Sequence, residues 1–438
     1  MFSDSIRDRF KFFFLSGSYT LGVFNDGFFR NSAILLAIGL SQSDSSMKGM
    51  EGIISFLFTV PYLLFSSFAG WLADRYPKRR VIVLAKAMEF LAMLAGAVGI
   101  YFLCWPLILV MVFIMGSQAC LFSPALNGSI PEFYPAERVN KVNSLLKVLV
   151  TVMILGGIVG SGVVTVLDSE SSQRLVIAVG VLVISAAGWL VSLGVPFRPA
   201  AEPGKPIPLA GPLSSIKMLW QLRRDVFLVS IIFANVFVWF AGQMLILLVQ
   251  KMAVDQFKWG KPTAGALLAV MLLGIAVGGL LSNWIMKAKR WFLVLPAGTL
   301  CMGISMALVW MLPGLAAGVQ KPAAFAIFAF IGVCGGAYMI PCETFIQVRP
   351  RHEDKGTVIA AGNFAVFTGI SLAGLIVWSL GKFIPDVPAS FWIGMVSLLA
   401  ALKSIALASL FLRRTEVPPP PADLKAEGSR TIPQFWLY

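Results

Sequence analysis

The stretch FNDGFFRNS, residues 24–32, sets a carboxylate and a guanidinium, Asp26 and Arg30, four residues apart, with Asn25 and Asn31 beside them. On a helix these two positions share a face, and acid before base is the favourable order. The stretch interrupts residues 11–40, a run otherwise apolar and long enough to cross a bilayer at a tilt. An ionised group at that depth costs at least ~2.5 kcal/mol. Two readings fit. The pair ties its helix to neighbouring helices, or it lines a central cavity that water and substrate reach. Intramembrane ionisable groups mark pathways, which favours the cavity. A guanidinium there takes phosphate or carboxylate through forked hydrogen bonds. A carboxylate there takes an ammonium or a coupling cation.

Other polar side chains fall inside apolar runs. Gln118, Glu343 and Asn363 are candidate cavity groups. Lys147 stands about two turns into its run, where a lysine stem either snorkels to the surface or faces the cavity. Lys86 with Glu89, and Lys403, read more simply as packed or snorkelling groups. Phe24 and Phe28 share a stripe that could wall an acyl chain or merely pack.

The elements that position these residues follow from composition. Of 438 residues 58% are hydrophobic and 13% charged, and mean hydropathy is +0.83. A soluble chain carries about a quarter charged residues. The chain is therefore expected to be an all-α polytopic membrane protein. Twelve apolar runs stand at about 11–40, 50–72, 80–103, 106–128, 142–167, 175–196, 226–250, 263–286, 291–313, 322–347, 357–381 and 389–412. With both termini in the cytoplasm, the outer loops hold only Lys48, Arg174, Lys251, Lys258, Lys261, Lys321 and Lys382. Most other basic residues then lie inside, as the positive-inside rule requires. That bias accounts for the net charge of +14 without nucleic acid. Cys104, Cys120, Cys301, Cys334 and Cys342 form no metal-spaced set, and His352 is the single histidine. A metal site is not expected, and no cleavable leader is evident.

The division expected is a six-helix half (1–196), a cytoplasmic linker (197–225), a second half (226–412) and a tail (413–438) that four prolines keep from continuing a helix. The halves repeat. FIMGSQACLFSPALN (113–127) aligns with FIGVCGGAYMIPCET (330–344), and GWLAD (70–74) with GLLSN (279–283). Parallel repeats of this kind hold a midplane site between halves that rock.

GWLADRYPKRR, residues 70–80, resembles the loop signature of the major facilitator superfamily through Gly70, Leu72, Asp74, Arg75, Lys78 and Arg79. The resemblance implies the major facilitator fold: twelve transmembrane helices in two six-helix pseudo-repeats. It also implies a conformational latch made by Gly70, Asp74, Arg75 and Arg79, with Asp74 facing the start of the eleventh span near Gly356 and Thr357. Asn283 replaces the acid in the second copy.

Three stretches, FNDGFFRNS, SPALNGSIPEF (123–133) and GGAYMIPCETFIQ with KGTVIAAGNF (335–347, 355–364), resemble the bacterial lysophospholipid transporter family, including portions fused to acyltransferase or acyl-ligase domains. Leu126 and Lys147 depart from it, where that family commonly carries Lys and an acid. The resemblance implies an alternating-access transporter of the inner membrane that moves lysophospholipid from the outer to the inner leaflet. The alternative is an exporter of amphipathic drugs or siderophore-like molecules. Substrate contacts are then expected from Asn25, Asp26, Arg30, Gln118, Lys147, Glu343 and Asn363. No enzyme chemistry and no cofactor are expected beyond a coupling cation, Na+ or H+. A monomer is expected, with an acyltransferase or acyl-ligase as partner or fused domain.

Overall fold

The computed structural model describes residues 6–40, 50–164, 169–384 and 387–418. Among them the secondary structure is helical. Twelve long helices are α1 (Ile6–Leu40), α2 (Met50–Arg75), α3 (Lys78–Tyr101), α4 (Trp105–Phe133), α5 (Ala136–Val164), α6 (Glu170–Ser192), α8 (Val226–Lys251), α9 (Lys261–Ile285), α10 (Val294–Met311), α11 (Ala317–Val348), α12 (Lys355–Phe383) and α13 (Ala389–Phe411). A short helix, α7 (Pro212–Leu222), lies in the segment between α6 and α8.

Among the described residues, eleven of the long helices are apolar and long enough to cross a membrane. The described part of α1 is not among them: Asn25, Asp26, Arg30 and Asn31, with Ser16, Ser18 and Thr20, lower its hydropathy. Several helices outrun the apolar windows: α4 runs to Phe133 and α5 starts at Ala136. A helix continues past the hydrocarbon wherever its end is solvated, so hydropathy marks the bilayer-crossing part rather than the helix end. Pro61, Pro124, Pro131, Pro322 and Pro341 sit inside helices, which membrane helices tolerate when neighbours satisfy the freed carbonyls.

The segment 197–225, expected as a cytoplasmic linker, contains α7. Gly211, at φ +54°, turns the chain in a left-handed conformation that suits glycine. Pro212 then opens the helix, and PLSSIKMLWQL holds no later breaker. Ser67 Oγ on α2 donates to the Gly211 carbonyl at 2.7 Å and meets Ser215 Oγ at 2.8 Å. The expectations for Lys48 and for the tail beyond residue 418 fall outside the described residues.

The chain forms two compact units. One comprises Met1–Phe133, Leu149–Trp220 and His352–Phe364; the other comprises Tyr134–Val148, Gln221–Arg351 and Ala365–Tyr438. Thus α5 and α12 each contribute to both. In the first unit Phe28, Phe29, Met93, Ile100, Met111, Met115 and Val181 belong to one buried cluster. In the second, α9 and α11 approach through facing small residues. A Cβ on Gly332 would meet the Met271 carbonyl and Gly274, and one on Gly336 would meet the Ile275 carbonyl and Gly279. Dispersion between closely apposed backbones holds such pairs where lipid offers no hydrophobic drive.

Candidate functional site

In the first unit the polar residues of α1 meet α3. Asn25 is fully buried, and its Nδ2 donates to Glu89 Oε1 at 3.2 Å. Lys86 Nζ donates to Glu89 Oε2 at 2.6 Å and lies 4.9 Å from the Phe122 ring centroid. The Lys86 and Glu89 side chains are 3% and 1% exposed. A buried charge is stable only when paired and hydrogen-bonded. The i, i+3 spacing on α3 supplies the pair, and Asn25 satisfies the remaining carboxylate oxygen.

Asp26 and Arg30 do not close into an ion pair, contrary to what their spacing suggests: among the described residues no such contact lies within 4.0 Å. The Arg30 guanidinium instead lies over the Phe58 ring of α2, 5.0 Å from its centroid. Asp26 Oδ1 is buried and accepts no hydrogen bond, and Asn25 Oδ1 is in the same condition. The charges acting on Asp26 are Glu89, Lys86 and Arg30. Asn31 has a packing role: its Nδ2 donates to Ser161 Oγ on α5 at 2.6 Å. Gln118 is buried on α4. Asn363 Nδ2 on α12 donates to Ser123 Oγ on α4 at 2.9 Å.

The same unit contains the α2–α3 signature. Asp74, fully buried, receives Gly356 N at 2.7 Å on Oδ1, and Thr357 N at 2.9 Å and Thr357 Oγ1 at 2.6 Å on Oδ2. These are the unpaired donors of the first turn of α12, where the helix dipole also favours an anion. Gly70 is required by the close approach: a Cβ there would lie 2.7 Å from Ala360 Cβ and 2.8 Å from Thr357 Cα. Arg75 Nη1 donates to the Lys205 carbonyl at 2.5 Å, as does Trp71 Nε1 at 2.9 Å. Arg79 Nη2 donates to the Leu193 carbonyl at 2.7 Å. Lys78 Nζ pairs with Glu132 Oε1 at 2.5 Å.

Lys205, from the linker, was not singled out in the sequence. Its Nζ lies 3.0 Å from Asp74 Oδ2, 3.0 Å from the Glu353 carbonyl, 3.2 Å from Asp354 Oδ1 and 3.2 Å from Glu202 Oε2. Burial alone would lower its pKa, but Asp74, Asp354 and Glu202 more than offset it and hold the ammonium above the ordinary lysine range. Nothing in a Pro- and Gly-rich linker distinguishes this lysine from its solvated neighbours.

In the second unit the start of α5 meets α9 and α11 through neutral groups. Asn140 Nδ2 donates to Ser282 Oγ and Asn283 Oδ1, both at 3.1 Å. Asn143 Nδ2 donates to Thr344 Oγ1 and Gln347 Oε1, both at 3.0 Å. Asn283 also donates to its own helix, at the Leu280 carbonyl. Asn140 and Asn143 stand three apart in VNKVNS, a one-face spacing that could have marked them. One turn further along α5, Lys147 Nζ lies 4.0 Å from Glu343 Oε1 on α11 and 5.1 Å from the ring centroid of Trp239 on α8. Lys403 lies on α13, near Cys342 of α11.

A family model described as Major Facilitator Superfamily matches residues 15–374. Among curated relatives, the Lysophospholipid transporter LplT of Enterobacter sp. (strain 638) is 27% identical over 360 residues, 81% of this chain and 85% of that protein. The protein of the same name from Yersinia pestis (strain Pestoides F) is 27% identical over 354 residues, 79% and 82% of the two chains. Solved structures agree in fold. The human organic anion transporter MFSD10 superposes with a TM-score of 0.75 at 12% identity, over 91% of this chain and 100% of that one. The proton:xylose symporter XylE gives 0.66 at 15% identity, over 92% and 99%. With twelve long helices, the α2–α3 signature seated on α12 and a family match over most of its length, the chain belongs to the Major Facilitator Superfamily and is a multi-pass membrane transporter.

Proposed function

We propose that this transporter moves lysophospholipid from the outer to the inner leaflet of a bacterial inner membrane, by alternating access and with both termini cytoplasmic. One observation carries the substrate class. Arg30, within α1, lies against an aromatic ring, with no carboxylate in ion-pair reach among the described residues. A guanidinium held this way keeps its forked donors for a phosphate, while Phe58 and its apolar surroundings suit the acyl chain. The name of the curated relatives supports the same class. Asp26, with an unsatisfied buried oxygen, is the group we assign to a coupling cation, Na+ or H+. Re-acylation after delivery falls to an acyltransferase or acyl-ligase, as a partner or a fused domain.

The test is flux of labelled lysophosphatidylethanolamine in proteoliposomes, run beside a panel of amphipathic drugs. Lysolipid movement is expected, lost in Arg30→Gln and in Asp26→Asn at matched protein abundance. Movement of drugs without lysolipid, or full flux in both variants, overturns the reading.

A further inference from the structure

The cations inside the helices differ in how they are held. Lys86 is sealed, with Glu89 at 2.6 Å and both side chains 3% exposed or less. Lys147 is loosely held. Its distance to Glu343 is 4.0 Å, the outer limit of an ion pair, and the two side chains are 17% and 26% exposed. Trp239, whose ring lies beneath it, is 36% exposed as a residue. A carboxylate and an indole face converging on one ammonium is the chemistry by which proteins bind alkylammonium ligands, where a cation over Trp contributes about 0.5–2 kcal/mol. Here the ammonium is supplied by the chain itself, on a flexible four-carbon stem.

We propose that Glu343 and Trp239 form a subsite for the ammonium of a zwitterionic lysolipid head group, and that Lys147 occupies it as a tethered stand-in until the head group displaces it. This rests on the lysolipid reading above and adds the head-group class. The subsite belongs to the second compact unit alone. An incoming ethanolamine or choline group takes the carboxylate and the ring. The displaced Lys147, whose backbone is fixed one turn beyond Asn143 and Ser144, is then left beside the phosphate that the ammonium carries two carbons away, at a stage of transport other than the one in which Arg30 holds that phosphate. Charge is conserved: one cation leaves the acid as another arrives, and the phosphate compensates the freed lysine. A lysolipid without an ammonium, such as lysophosphatidylglycerol, cannot make this exchange and leaves Lys147 where it is.

The experiment compares wild type, Lys147→Met, Glu343→Gln and the double variant as full chains in lipid nanodiscs and proteoliposomes. Two probes are used: competition between lysophosphatidylcholine and lysophosphatidylglycerol in flux, and binding of tetramethylammonium by calorimetry. Removing the stand-in should tighten tetramethylammonium and raise the choline-to-glycerol flux ratio, each by about tenfold. Glu343→Gln should abolish both gains in the double variant. Trp239→Leu in the Lys147→Met background should weaken tetramethylammonium without changing protein abundance. If lysolipids move but the ratio is the same in wild type and Lys147→Met, the subsite is wrong and the lysolipid reading stands. If no lysolipid moves but Lys147→Met gains tetramethylammonium binding that needs Glu343, the ammonium subsite stands and the lysolipid reading falls. If Lys147→Met gains neither, the tethered-ammonium proposal is overturned.

Discussion

The two copies of the repeated motif, GWLAD and GLLSN, solve one structural problem with different chemistry. In each compact unit the end of a helix from one pseudo-repeat meets the start of a helix from the other. Asp74 on α2 meets α12 through a carboxylate that accepts two backbone N–H groups, a hydroxyl and the Lys205 ammonium. Asn283 on α9 meets α5 through one amide hydrogen bond from Asn140, in a network of neutral side chains. Charge-assisted bonds are roughly twice as strong as neutral ones, which contribute about 1 kcal/mol each. The first contact is therefore strong and concentrated in one residue. The second is weaker and spread over Asn140, Asn143, Ser282 and Thr344. Under the alternating access proposed above, the first contact is the decisive one and the second the graded one. We propose the Asp74 contact as the conformational latch.

Substitutions separate the two. Asp74→Asn should have the largest effect. It leaves Lys205, 13% exposed, without its most buried partner and weakens every bond to the first turn of α12. The expected loss is about 2–4 kcal/mol, reduced from the full cost of breaking a buried pair because Asp354 and Glu202 remain. Thermal unfolding of the purified protein and lysolipid flux should both fall, the flux by tenfold or more. Unchanged values in both would remove the latch.

Gly356→Ala tests the same contact by shape alone. Its Cβ would lie 2.5 Å from Asp74 Oδ1 and 2.9 Å from the Gly70 carbonyl. Overpacking of this kind costs about 1–3 kcal/mol, so the melting temperature should drop by less than in Asp74→Asn. A melting temperature equal to wild type would mean that α2 and α12 need not approach so closely.

Lys205→Met should cost about 1 kcal/mol, because Asp74 keeps its three donors from Gly356 and Thr357. Its pH dependence has a definite sign. A lysine whose pKa is raised on folding stabilises fully below the unfolded value, about 10.4, and loses that contribution only as pH rises beyond it. The difference in melting temperature between wild type and Lys205→Met should be constant from pH 6 to 9 and shrink above about 10.4. A difference that varies across the neutral range would assign the contact to another titrating group.

Asn140→Ala should have the smallest effect, at most about 1.5 kcal/mol, because Asn143 still binds Thr344 and Gln347. Raising salt from 0.05 to 0.5 M, a range that shortens screening lengths to a few ångströms (on the order of 4 Å at the top), should narrow the gap between wild type and Lys205→Met, because the Glu202 and Asp354 partners of Lys205 are 40% and 23% exposed. The Asn140→Ala gap should stay constant. Equal salt responses would erase the distinction between a charged and a neutral contact.

The sequence by itself determined the architecture and one of the contacts. Long apolar runs can satisfy their backbone in lipid only as helices, so counting the runs counted the twelve long helices, of which eleven are apolar and long enough to cross a membrane among the described residues. The resemblance of residues 70–80 to the superfamily's loop signature implied that Asp74 faces the start of the eleventh span, and the free N–H groups of a helix start are where an acid is favoured. Helix α7 and the true helix ends escaped, since hydropathy reports depth in the membrane and not backbone geometry. Only the tertiary structure decided which polar groups meet. Asp26 and Arg30 share a helix face, yet Arg30 turns to Phe58 and Asn25 to Glu89. Lys147 shares no local pattern with Glu343 or Trp239 and meets both. Lys205 came from a linker with no periodicity to read. Periodicity fixes which face of a helix a residue occupies. The partner opposite that face is set by how distant helices pack, and no local spacing encodes it.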